Sequence, residues 1–187
     1  MIPPFDQNHV LPAYFGAPYN PHNYSPYKCD ILEFCQHFST SRERIEILKG
    51  FLDFRKDCLA NGITGDQWIG GAFVEDTAAQ EGRKEPDSIL AVSLIQVTSQ
   101  EKANRILQNF PVFTNTLLST PKYKVEHYVF VINQSAKEII SCTNYWTQIL
   151  TDNNLNVRKG ILEIPLCEDD TKDKIAFPAN VNFRITA

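Results

Sequence analysis

The chemistry open to this chain starts from a glycine pair and a scatter of carboxylates. Gly70-Gly71 closes an apolar stretch within Gln67–Val74. A turn without β-carbons lets a phosphate approach backbone N–H groups closely enough to be held. Carboxylates surround that turn in sequence: Glu75 and Asp76 follow it, Glu85 and Asp87 precede the next apolar run, and Glu126 lies in the third run. Carboxylates gathered on one face fix magnesium, which neutralises phosphate charge and aligns an attacking hydroxyl. Alternation along a strand puts residues i and i+2 on the same face, the spacing of Glu85 and Asp87. These two flank Pro86 in a polar stretch, however, where strand geometry is not expected. Glu75 and Asp76 are adjacent and would point apart if extended. All four are expected as solvated loop carboxylates.

Other reaction types find less support. Ser88, Ser93 or Ser99 with His127 could suggest a hydrolase, and Cys58 or Cys142 with His127 a thiol enzyme. There is no G-x-S-x-G elbow, no P-loop and no G-x-G-x-x-G. The five cysteines (Cys29, Cys35, Cys58, Cys142, Cys167) and four histidines (His9, His22, His37, His127) are dispersed without zinc-ligand spacing. Buried free thiols are the expectation. Arg158-Lys159-Gly160 could hold a phosphate, although a turn leading into a strand explains the same residues. Arg42 and Arg44 open a helix against its dipole and are expected on the solvated surface, with an anion or partner contact as the functional alternative.

The elements that must position these groups follow from pattern. Residues 1–28 carry six prolines and no regular period, which predicts an extended arm lying over the domain of residues 29–187, packed by its aromatics. Asp30–Phe38 has a helical apolar face. A second helix is expected behind a capping box of Thr40 and Glu43, with Ile45, Leu48, Leu52 and Leu59 on one side and Asn61-Gly62 at its end. Gln67–Val74, Ile89–Val97 and Lys124–Asn133 read as strands, the second nearly all apolar and hence central. The segment Asp76–Asp87 is expected as an exposed loop. Ser99–Phe110, Val112–Leu118 and Ala136–Leu150 are expected helical, Asn153–Val157 a turn, and Ile161–Leu166 a strand or edge segment. Glu168–Lys174 is expected as a solvated loop and Val181–Ile185 as a last strand. The order predicts an α+β, or mixed α/β, single domain.

Composition narrows the function classes. A net charge of −4 argues against general nucleic-acid binding, for which a basic surplus is usual. No apolar stretch approaches the roughly 20 residues of a membrane span, and the N-terminus lacks the basic-then-apolar start of a secretory signal. A cytoplasmic protein is expected, with a protein partner or a second copy of itself as its binding target and no membrane contact.

The chain resembles the polymerase-beta-type nucleotidyltransferase superfamily, and within it a group of small bacterial nucleotidyltransferase-like proteins. The resemblance rests on Phe5-Asp6 and Leu11-Pro12, on Arg44 opening a helix with Leu48 and Leu52 behind it, and on Gly71-Ala72-Phe73-Val74 followed by Pro86–Leu90. It continues in Tyr145-Trp146 and in Lys159-Gly160-Ile161-Leu162-Glu163. It implies a mixed sheet flanked by helices, with Gly70, Gly71, Ala72 and Ser88 facing a nucleotide. The superfamily's turn serine falls on Ala72, its two metal aspartates on Ser88 and Leu90, and its third carboxylate on Glu126. The resemblance therefore implies the scaffold with no metal site and no catalytic residue, a non-catalytic binding or accessory subunit of the kind found in toxin–antitoxin and phage-defence systems. The alternative is an active enzyme using magnesium and a nucleoside triphosphate, with displaced ligands Glu85, Asp87 and Glu126.

Overall fold

The computed structural model describes residues 1–153, 157–167 and 177. The loop expected over Glu168–Lys174, the strand over Val181–Ile185 and part of the turn Asn153–Val157 lie outside them. The described residues form an α+β fold: five helices around a mixed five-stranded sheet.

The arm packs through Ile2, Val10, Leu11 and Tyr27, whereas Tyr14, Phe15, Tyr19 and Tyr24, expected to pack it, are exposed; its last residues join the sheet as strand β1 (Tyr27–Lys28). Helix α1 (Ile31–Phe38) starts at Asp30, whose carboxylate accepts the Glu33 amide at 2.7 Å. Helix α2 (Arg42–Ala60) is capped by Ser41, not Thr40: the Ser41 hydroxyl accepts the Arg44 amide at 3.1 Å. The reason is that Thr40 is spent closing α1, its own amide bonded to the Phe38 carbonyl, so the cap moves one residue on. Strand β2 (Gly65–Gly70) stops at the first glycine of the pair, and Ala72–Val74 is a 3-10 turn instead of its continuation. Strand β3 (Ile89–Ile95) then runs antiparallel to β2.

Parallel neighbours need a crossover. Here it is α3 (Gln100–Asn109), a 3-10 turn, and α4 (Thr116–Tyr123), which return the chain to β4 (Val125–Val131) beside β3. The helix expected over Val112–Leu118 is split because Asn115 caps a new helix, its side chain accepting the Leu117 amide. Helix α5 (Ala136–Thr151) opens with a full capping box of Ser135 and Glu138. Strand β5 (Leu162–Leu166) is interior, between β1 and β2, which corrects the edge expectation. The sheet order is β1-β5-β2-β3-β4. No helix among the described residues is long and apolar enough to cross a membrane.

The sheet has two unequal faces. One carries the main core, where Phe34, Phe38, Phe51, Phe54, Phe73 and Phe113 are all but fully buried. Each such ring contributes roughly 1.5–3 kcal/mol from burial. The other face carries a smaller cluster, in which Ile139, Cys142, Trp146 and Leu150 of α5, together with Ile161, pack on Val92 and Phe130.

A polar chain crosses the main core from strand to strand. Arg55 donates to the Gln67 side-chain oxygen Oε1 at 2.5 Å, and Gln67 Nε2 donates to the Ser93 hydroxyl at 3.0 Å. Ser93 and His127 Nε2 lie 2.8 Å apart, and His127 Nδ1 lies 2.7 Å from the Phe113 carbonyl. Because that carbonyl only accepts, Nδ1 carries the proton and Nε2 accepts from Ser93. The serine–histidine pair weighed as hydrolytic is thus a sealed hydrogen bond, with Ser93 at 0% and His127 at 1% exposure. Burial holds the His127 imidazole far below its ordinary range, to about 3, so it is neutral.

Candidate functional site

The glycine turn sits where β2 ends against β3. Gly71 has φ +71°, and a β-carbon there would meet the Leu90 β-carbon at 3.0 Å; one at Gly70 would meet Leu150 Cδ2 at 2.8 Å. Glycine is required by backbone shape and by close approach from both sides. Register then sets a row across the sheet, with Gly70 opposite Leu90 and Leu90 opposite Glu126. Alternation puts Leu90, Glu126 and Tyr128 on the α5 face, while Ser88 lies in a bend one residue before β3. Glu126 is half-buried and accepts the Tyr128 hydroxyl at 2.9 Å, while burial and this bond push the Tyr128 phenol up. Of the positions to which the resemblance assigns metal ligands, Leu90 and Glu126 are therefore neighbours on one face, and only Glu126 is acidic.

Behind the turn lies a cluster that the sequence concealed. Glu75, expected as a solvated loop carboxylate, is 1% exposed. It accepts the Lys159 ammonium on one oxygen, and Arg83 at 3.0 Å with Gln80 at 3.5 Å on the other. Lys159, also 1% exposed, donates to the Gly71 carbonyl at 2.7 Å. Burial pulls the Lys159 ammonium below its ordinary range, and the Glu75 carboxylate acts against that. Arg44 is buried, not solvated: it donates to the Phe73 and Glu75 carbonyls, each at 2.7 Å, and to Glu85 at 2.9 Å. Arg42 is exposed as expected. The segment Asp76–Asp87 is accordingly not a free loop. Thr77 and Gln80 are buried, Thr77–Ala79 is a 3-10 turn, and Gln80 ties it to the arm through the Asn8 and His9 carbonyls.

The displaced-ligand set is not brought together. Glu85 is held by Arg44 and Thr77, Asp87 is exposed, and Glu126 is engaged by Tyr128. Among the described residues no three His, Cys, Asp or Glu side chains are placed to hold one metal ion. Cys29, Cys35 and Cys58 are buried thiols, the first two pushed up to about 12 by burial, whereas Cys142 is half-buried and Cys167 exposed.

Sequence reasoning singled out Arg44 and Lys159 but missed their burial, and it missed Arg83 altogether. For Arg44 a signal existed, since it lies four residues before Leu48 and eleven before Arg55, on the apolar stripe of α2. Lys159 and Arg83 lie outside any periodic element, and nothing in their neighbours marks them as buried.

Fold and site together define an α+β domain whose glycine turn abuts a nearly carboxylate-free sheet row and is buttressed from behind by buried ion pairs. The chain belongs to DUF6932, a family of unknown function, whose model matches residues 3–165. No curated protein matches the chain, and no solved structure does.

Proposed function

We propose that this chain is a non-catalytic nucleotidyltransferase-like domain that works by binding, as a regulatory or accessory subunit in the bacterial cytoplasm, with toxin–antitoxin or phage-defence systems as its setting. The observation that carries the reading is the row Gly70–Leu90–Glu126. It juxtaposes a glycine turn with the strand positions where a nucleotidyl-transfer site needs at least two carboxylates, and supplies one. The nearby carboxylates that could compensate are spoken for, Glu75 by Lys159 and Arg83, and Glu85 by Arg44. Leu90, Tyr128 and Trp146 are half-exposed, and Tyr145 and Ile149 are exposed beside them, an aromatic and apolar character suited to a protein partner.

The test is titration of magnesium with each nucleoside triphosphate, following thermal stability and transfer of label to protein or RNA. Ligand at about 100 times its dissociation constant would stabilise a true site by about 2.7 kcal/mol. The expected result is no magnesium-dependent shift and no transfer. Either one would return the chain to the enzymes.

A further inference from the structure

A second concavity lies on the α5 face, on the opposite side of β2 from the Leu90–Glu126 row. It is a groove of about 500 Å³ between the arm, α5 and the segment leading into β5. That is the size range of small-molecule sites, roughly 300–1,000 Å³. Its wall chemistry is one-sided. Among the described residues Arg158 and Lys159 line it and no carboxylate does, in a chain whose net charge is −4. The contrast with the groove beside Lys28 is direct, since that one is lined by Asp30, Glu33, Asp66 and Glu163.

Arg158 is exposed, and no hydrogen bond or ion pair engages its guanidinium among the described residues. Lys159 uses its ammonium on the Gly71 carbonyl and on Glu75, and an ammonium has three donors. Thr143 and Thr147, one helical turn apart on α5, line the same space. The remaining wall is aromatic: Trp68 on the strand, and Tyr14 and Tyr24 of the arm, whose ring centroids are 5.5 Å apart and which are 48% and 44% exposed. A cationic end, hydroxyl donors and ring faces in one groove match a ligand with an anionic head and a flat body.

We propose that this groove is a binding site for a ring-bearing phosphomonoester, with the phosphate at Arg158 and the Thr143–Thr147 hydroxyls and the ring against Trp68, Tyr14 and Tyr24. The Arg158 guanidinium can bond two oxygens of a dianionic phosphate at once, and the charge of the ligand then separates it from a monoanionic carboxylate. The Arg158-Lys159-Gly160 run, ambiguous as sequence, thereby divides its labour: Lys159 holds the glycine turn and Arg158 faces the groove.

Phenyl phosphate is the probe, titrated into the full chain in EDTA, with tryptophan fluorescence as readout in a Trp146→Phe background where Trp68 alone reports, and calorimetry on the unsubstituted chain as the second measurement. Saturable binding is expected, at least tenfold tighter than benzoate or phenol. Arg158→Ala should weaken it at least tenfold without altering thermal stability, since that side chain supports nothing in the fold. Glu126→Gln should leave it unchanged. The proposal is overturned by no saturation below about 10 mM, a dissociation constant worth less than about 3 kcal/mol, by equal affinity for benzoate, or by indifference to Arg158→Ala. Loss of binding in Glu126→Gln would also overturn it, by placing the ligand at the β3–β4 row.

Discussion

His127 offers a quantitative test of the core, because its imidazole is neutral only while the chain is folded. The perturbation is a fall in pH from 8 to 5. Burial sets the folded-state pKa at about 3 against an ordinary value of 6.5, so the unfolded chain binds the proton first. A depressed folded-state pKa contributes stability above 6.5 that is lost as pH falls toward 3. At pH 5 the unfolded imidazole lies 1.5 units below its ordinary pKa of 6.5 and the folded one is still unprotonated. The loss between pH 8 and pH 5 is then about 2 kcal/mol, at roughly 1.36 kcal/mol per unit. The half-buried His37 imidazole is lowered too, and its loss has the same sign. The assay therefore compares the chain with His127→Gln, whose amide can still bridge Phe113 and Ser93 and which leaves the His37 contribution in place. Urea denaturation followed by circular dichroism at the two pH values should show a pH-dependent loss about 2 kcal/mol smaller in the variant. Proton NMR of the unsubstituted chain supplies a check that needs no variant, since the His127 ring signals should not titrate above pH 5. Equal losses in the two proteins, or a His127 titration near 6.5, would refute the sealed-core account.

Three further outcomes are expected. Lys159→Met leaves Glu75 with one fewer cation in a buried site, and Glu75→Gln leaves Lys159 facing a neutral amide. Each should cost about 3–5 kcal/mol in chemical denaturation, and the two together less than the sum of the single losses. Gly70→Ala would place a methyl 2.8 Å from Leu150 Cδ2, and should lose about 1–3 kcal/mol, part of which Leu150→Ala restores by vacating the space. Combining Ser88→Asp with Leu90→Asp beside Glu126 should create a magnesium-dependent rise in melting temperature that the unsubstituted chain lacks, and its absence would count against the scaffold reading.

Much of the scaffold was legible because periodicity reports burial. The 3.6-residue stripe of α2, the apolar run of β3 and the amphipathic pattern of α5 each marked an element, and the glycine pair marked the end of β2. Errors fell where burial is bought with charge. Glu75, Glu85, Arg44, Arg83 and Lys159 all count as surface residues by composition, yet the fold brings them together from α2, from the segment after the turn and from the lead into β5. Pairing across 84 residues, as between Glu75 and Lys159, leaves no local trace in the sequence. The interior place of β5 was hidden for a similar reason: its partner β1 is two residues of an arm whose prolines argue against any strand.

That same cluster bears on what the glycine turn means. In a site that holds nucleotide, the backbone N–H groups of a glycine turn and the cations near it are directed at the phosphates. Here the turn is held from behind by a side-chain ammonium on the Gly71 carbonyl, itself fixed by Glu75, while Arg44 secures the Phe73 and Glu75 carbonyls that follow. With Glu85, which Arg44 also holds, five backbone or carboxylate acceptors are thus satisfied by two buried cations without a phosphate. The shape of the turn is therefore independent of any occupant, and persistence of that shape is no argument for nucleotide binding. It leaves the α5 face free to carry another surface chemistry, aromatic and apolar on the β3–β4 side and cationic at the groove beside Arg158.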